Sequence, residues 1–295
     1  MGEVLIEIEQ EDPRFKRFIG VWLCGEQETV LVDVGPASSA SALVQELKER
    51  GVDRIDYILL THIHLDHCGG LPAVMAAYPM ARVICHQKAV PFLVNPSTLW
   101  EGSLKVLGKV AEMYGEPRGV PRERLISHTA WQGERIRVLE TPGHAAHHLS
   151  FRYGDRLFVG EAAGTYHRLG GGEYLRPPTP PRFFFDTCVE SVERLLREDD
   201  LPVFFAHFGR AESSHRILRW YRDQLFLWKE VIARITSEVS RNPEDACIEA
   251  LLAEDPRLGP FSMMDPECRA RERYFMKNSV RGFLGYLEGD GKPGR

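Results

Sequence analysis

Hydrophobic and polar positions alternate over short runs through residues 1 to 211 and over a longer period beyond. RFIGVWLCG and ETVLVDVG are apolar, β-branched runs separated by a GEQ turn, and they predict adjacent strands. SSASALVQELKERG predicts a helix, with Ser38 or Ser39 capping its start and Gly51 ending it. DYILLTH reads as a short buried strand, LPAVMAAYP as a helix, ARVICH as a strand and TLWEGSLKVLGKVAEMYG as one longer helical segment. RIRVLETPG and HLSFRYGDRLFVG predict successive antiparallel strands. DTCVESVERLLRED predicts a helix, and LPVFFAHFG a strand ending in a loop. Strands interspersed with helices predict a layered α/β (α+β) fold.

From Glu212 onward the pattern changes and no strand is predicted. Ile217, Trp220, Tyr221, Leu225, Trp228, Val231, Ile232 and Ile235 recur every three or four residues, the stripe of a long half-buried helix. That aromatic stripe is too apolar for water. Packing within the chain is the simpler account, and a homodimer surface the alternative. Asn242 before Pro243 predicts the cap and first position of another helix. A final helix is expected over ECRARERYFMKNSVRGFLGYLEGD, with a frayed GDGKPGR tail. Two parts follow: 1–211, and a helical extension over 212–295.

Composition narrows the function classes. The chain has 295 residues, a length that suits about two domains. Its net charge of −5 opposes a general nucleic-acid binder. No apolar run approaches the ~18 residues needed to span a bilayer. The N-terminus alternates apolar and acidic residues and lacks the basic region and apolar core of a secretory signal. The six cysteines form no CxxC pair, so they are read as reduced, mostly buried thiols in a cytoplasmic protein.

Histidine is more telling. Of eleven, seven stand in two clusters, 62/64/67 and 144/147/148, or at 207 after an apolar run. The segment Thr61-His62-Ile63-His64-Leu65-Asp66-His67-Cys68-Gly69-Gly70 directly follows the strand DYILL. Alternate side chains of an extended chain share a face, so His62 and His64 point the same way while Asp66 and His67 follow in the turn. Such a cluster is costly to bury unless something binds it. Imidazole and carboxylate together suit zinc, iron or manganese. Gly69 and Gly70 are expected to let the backbone turn tightly behind the ligands.

HxHxDH after an apolar strand resembles the signature of the metallo-β-lactamase superfamily. Asp33-Val34-Gly35, Thr141-Pro142-Gly143-His144, Gly160-Glu161 and His207 in FFAHFG are similar to the family's other landmarks and stand in its order. The resemblance implies a four-layer αββα sandwich with a helical C-terminal extension capping or flanking the site. It also implies two divalent transition-metal ions, zinc foremost, with iron or manganese as alternatives. His62, His64 and His144 would hold the first, Asp66, His67 and His207 the second, with residue 161 bridging. A hydroxide on such ions attacks an ester, lactone, thioester or phosphodiester of a small-molecule substrate. Asp66 is thereby also placed among the catalytic residues. Asp33 would act through a ligand histidine, the alternative being a turn residue before Gly35.

Glu161 departs from the family's usual Asp. It could bridge, bind one ion terminally, or leave the second site weak. His148 is read as supporting a ligand rather than touching substrate. Tyr166 is balanced between donating to a developing oxyanion and packing under the C-terminal helices. Arg176 is weighed as a reader of a substrate anion against a surface arginine of a Pro-rich loop. Trp100, Phe183, Phe184 and Phe185 are read as core before pocket wall, and His86, His128, His167 and His215 as isolated surface or structural residues. Cys68 lacks a base partner and is not assigned as a nucleophile. The competing readings are a single-iron sulfur dioxygenase of the same fold and a non-catalytic metabolite sensor. Glyoxalase II also carries a helical C-terminal part, but its substrate-binding motifs are not seen here.

Overall fold

The computed structural model describes residues 2–25, 27–239 and 241–289. Most of the expected tail, and Glu26 of the expected GEQ turn, lie outside them. The chain divides into two compact units, Met1–Leu139 with Leu149–Gly154, and Glu140–His148 with Asp155–Arg295. The boundary expected at 211/212 falls inside the second unit.

In the first unit, strands β1 (Val4–Ile8), β2 (Ile19–Gly25) and β3 (Thr29–Val32) form an antiparallel meander. Strands β4 (Tyr57–Leu59), β5 (Arg82–Cys85) and β6 (Leu125–Ser127) continue the sheet in parallel, so spatial order follows chain order. Parallel neighbours need crossovers. These are α1 (Ala40–Glu49), the short α2 (Leu65–Cys68) with α3 (Leu71–Ala77), and α4 (Val90–Val94), α5 (Ser97–Leu107) and α6 (Lys109–Tyr114). Every residue of β2 is buried, consistent with a strand covered on both faces. The unit also holds the paired β7 (Ile136–Glu140, its last residue assigned to the second unit) and β8 (Leu149–Tyr153).

Two local expectations are corrected. The long helix over 98–115 breaks at Gly108, whose φ of 54° leaves the helical region, so it becomes α5 and α6. Ser39 precedes α1, but its hydroxyl donates to the Glu9 carbonyl instead of capping the helix.

In the second unit β12 (Val203–Phe205) runs parallel to β9 (Arg156–Gly160) and antiparallel to β13 (Arg210–Ala211). A hairpin absent from the sequence reading joins β10 (Thr165–Leu169) to β11 (Gly172–Arg176). Gly170 and Gly171 both have positive φ, as a two-residue hairpin turn requires. After α7 (Phe185–Leu195) come α8 (Ser214–Glu238), α9 (Pro243–Glu254) and α10 (Pro266–Glu288), and among the described residues no strand follows Ala211. Ile217, Tyr221, Leu225, Trp228, Val231 and Ile232 form the buried stripe of α8. Pro243 opens α9 as expected, but Asn242 makes no capping bond and sits in the left-handed region.

Candidate functional site

The first unit carries one cluster of candidate ligands. Strand β4 ends at Leu59, and His64 stands at the N-cap of α2, so the loop between them presents His62 and His64. His62 and His67 are buried, with ring centroids 4.1 Å apart. Nε2 of His62 lies 2.9 Å from Nδ1 of His64, and Nε2 of His67 lies 3.6 Å from Oδ2 of Asp66.

Asp33 fixes this loop from behind. Its φ of 58° is in the left-handed region. Its carboxylate accepts the Thr61 amide at 2.8 Å and the Thr61 hydroxyl at 2.8 Å, and lies 2.9 Å from Nδ1 of His67. With Nδ1 donating, neutral His67 keeps its lone pair on Nε2. The role of Gly69 and Gly70 is corrected. Both have ordinary helical φ, −59° and −75°. What demands glycine is proximity: a Cβ would lie 2.6 Å from the Ala37 nitrogen at Gly69 and 2.5 Å from the Val34 carbonyl oxygen at Gly70.

The second unit carries the other cluster, centred on Glu161, whose side chain is buried. One carboxylate oxygen, Oε1, lies 3.2 Å from Nε2 of His207 and 3.7 Å from Nε2 of His144. His148 supports this carboxylate. Its Nε2 accepts the Glu161 amide at 3.2 Å, so Nδ1 bears the proton and donates to the Thr141 hydroxyl at 2.9 Å. His144 Nδ1 donates to the Pro178 carbonyl at 2.5 Å. The set of imidazoles and a buried carboxylate suits a divalent transition metal. Each of His67 and His144 has one nitrogen anchored and the other directed at a carboxylate.

Tyr166 has its hydroxyl proton committed. It donates to Glu173 at 2.5 Å, and Glu173 accepts two bonds from Arg216 of α8, at 2.5 and 2.8 Å. Hydrogen bonding from Arg216, and then from Tyr166, outweighs burial and holds the Glu173 pKa at about 2. Burial, then the Glu173 contact, pushes the Tyr166 phenol up. The Tyr166 backbone also grips the ligand loop, donating to the His207 carbonyl at 2.7 Å and accepting from the Phe208 amide at 3.2 Å.

Arg176 is neither a surface arginine nor an open anion reader. It is 1% exposed and donates to Glu272 of α10 at 2.7 Å. Burial pushes the Glu272 carboxyl up, but Arg176 and Arg271 together outweigh it and hold its pKa far below the usual range. Phe183 and Phe185 are buried against Phe283, while Trp100 lies on α5, which buries no residue. His86 and His128 are not isolated. Their rings stack 4.4 Å apart, and each Nδ1 accepts a backbone amide. Cys68 is buried, and burial followed by the charge of Asp66 raises its pKa.

Thr61, Thr141, Pro178 and the Glu173–Arg216 pair also build the site and are not among the residues predicted from sequence. Threonines immediately preceding or near ligand histidines were the available signal for the first two. No local signal marked the others.

Residues 20–207 match the family model of the metallo-beta-lactamase superfamily. The chain belongs to that superfamily, and its fold class is α/β with a helical C-terminal region. It is 30% identical over 243 residues to a metallo-beta-lactamase fold-containing protein of Sulfurisphaera tokodaii, covering 78% of this chain and 88% of that one. It is 30% identical over 184 residues to a hydroxyacylglutathione hydrolase of Stenotrophomonas maltophilia, covering 62% of this chain and 56% of that one. Its structure is similar to a crystal structure of an archaeal metallo-beta-lactamase superfamily protein from Sulfolobus tokodaii. That match has a TM-score of 0.69 at 24% identity and covers 96% of this chain and 98% of that one. Among the described residues no helix is long and apolar enough to cross a membrane.

Proposed function

We propose that this chain is a metal-dependent hydrolase. In this reading His62, His64 and His144 hold one divalent ion, Asp66, His67 and His207 a second, and Glu161 is shared between them. The observation that carries the proposal is the position of Glu161 Oε1, 3.2 Å from one candidate ligand nitrogen and 3.7 Å from another. One oxygen addressing a histidine of each proposed set is what a bridging carboxylate needs, and the extra methylene of Glu over Asp does not prevent it. Zinc heads the candidates, with iron and manganese as the alternatives that an imidazole and carboxylate donor set also suits.

When bound, such ions acidify water and polarise the group under attack. The chain's own residues do the rest. Asp33 and the Pro178 carbonyl each accept a hydrogen bond from Nδ1–H of one ligand ring, leaving Nε2 to bind. His148 and Thr141 hold Glu161 by its backbone. Asp66, beside His67, would orient the attacking water by accepting a hydrogen bond from it. The relative named as a hydroxyacylglutathione hydrolase favours an acyl group as the electrophile, so thioesters and carboxylic esters head the substrate panel.

The test is elemental analysis of purified protein, followed by hydrolysis assays on thioesters, aryl esters, lactones and bis-aryl phosphodiesters. Two divalent ions per chain are expected, with hydrolysis lost on exhaustive chelation and regained on adding zinc. A single iron per chain with oxygen consumption, or full activity after chelation, overturns the proposal.

A further inference from the structure

His144 is anchored by a stretch of chain that forms neither helix nor strand, residues 177–180. A carbonyl only accepts, so the 2.5 Å contact to Pro178 puts the ring proton on Nδ1 and the lone pair of the neutral ring on Nε2. This strap has little means of fixing itself. Pro177, Pro178 and Pro180 have no backbone N–H to donate.

Helix α10 holds it instead. The Ser279 hydroxyl donates to the Pro177 carbonyl at 2.7 Å, and the Thr179 hydroxyl donates to the Ser279 carbonyl at 3.0 Å. Arg176, at the strap's entrance, is tied at 2.7 Å to Glu272, which stands two turns before Ser279 on the same face of α10. Arg176, Thr179, Glu272 and Ser279 are all buried. Gly282 completes the seat. A Cβ there would lie 2.3 Å from the Pro180 carbonyl oxygen and 3.1 Å from Cβ of Phe183. The helix therefore approaches the strap as closely as its backbone allows.

We propose that α10 is a positioning element for His144. Ser279, Gly282 and the Arg176–Glu272 pair set the strap so that the Pro178 carbonyl holds the ring in its Nδ1–H form. Its consequence for metal binding rests on the reading of His144 as a ligand. None of these α10 residues touches the reacting atoms; they act through Pro178.

The test uses full-length Ser279→Ala and Gly282→Ala. In metal-free protein labelled with 15N-histidine, ring spectra separate Nδ1–H from Nε2–H forms, with His144 assigned by its loss in His144→Gln. The parent protein is expected to show a single Nδ1–H form. Both variants are expected to show mixed tautomers at His144 and ~10-fold or greater weakening of zinc binding by chelator competition. Far-ultraviolet circular dichroism confirms that the variants are folded. If Gly282→Ala does not fold, Ser279→Ala decides alone. A folded variant that keeps the single tautomer and the parental zinc affinity overturns the proposal. A parent protein that binds no zinc overturns the proposed function instead, and the tautomer comparison still decides the role of α10.

Discussion

Nδ1 of His67 and Oδ2 of Asp33 lie 2.9 Å apart, and both side chains are buried. The same carboxylate takes the Thr61 amide. Asp33 thus acts on a candidate ligand and on the backbone leading to two others. Asp33→Asn fits the left-handed backbone, which Asn tolerates, but weakens the charge-assisted bond to His67. It is expected to weaken zinc binding about 10-fold or more, read by chelator competition. Asp33→Ala also orphans the buried Thr61 amide and is expected to cost a further 1–3 kcal/mol, on the order of one buried unsatisfied donor, in urea unfolding. Parental affinity in both variants refutes this role.

Glu161→Gln keeps the shape of the side chain and removes its charge. Its backbone support through His148 is unaffected, so the fold should persist. The metal content is expected to fall from two ions toward one per chain, measured by elemental analysis after dialysis. Two tightly held ions in Glu161→Gln would exclude a shared carboxylate.

The Glu173 carboxyl predicts an acid-side stability loss. Its folded pKa of about 2 lies below the ordinary 4.5. A depressed carboxyl stabilises fully above its unfolded value, and that contribution fades as pH falls from 4.5 toward 2. Melting temperature should therefore drop less steeply across that window in Glu173→Gln than in the parent. Parallel curves would show that the Arg216 pairing contributes nothing.

Glu272 serves two buried guanidiniums, Arg176 and Arg271. Replacing it with Gln leaves buried positive charge without a counter-ion, which costs about 3–5 kcal/mol in comparable sites. Denaturant midpoints measure this. The double change Arg176→Met with Glu272→Leu should recover part of the loss, since it removes one of the two buried guanidiniums along with the carboxylate.

Thiol chemistry should leave the protein active. None of the six cysteines is in a disulfide, five are buried, and only Cys268 is partly exposed. Burial raises Cys68, and holds Cys85 and Cys188 at about 12. Titration of the native protein with an aromatic disulfide reagent is expected to show one accessible thiol, slowed by the burial that raises its pKa and abolished in Cys268→Ser. Rapid modification of Cys68 with loss of activity would contradict this picture.

The elements legible in the sequence were those with local cause. The apolar runs of β2, β4 and β9 and the stripe of α8 announce themselves through period and burial. The HxHxDH segment was legible because four ligand-type side chains crowd into six residues. The β10–β11 hairpin was missed although Gly170-Gly171 is a turn signal, because its strands carry charged residues such as Arg168 and Glu173 that mask the alternation. Gly69 and Gly70 were read as turn glycines, since sequence does not show that the Val34–Ala37 backbone passes within a Cβ radius of them. Arg176 was misplaced because its partner, Glu272, is 96 residues away. Long-range pairs of this kind leave no local trace.

The seating of the Pro177–Pro180 strap on α10 has a consequence for biosynthesis. During translation His144 leaves the ribosome long before Ser279 and Gly282 are polymerised. A nascent chain can complete its first sheet and still lack the brace on that histidine. If α10 positions His144, that ring would gain its fixed tautomer only when α10 docks, and chains truncated before α10 would leave it mobile.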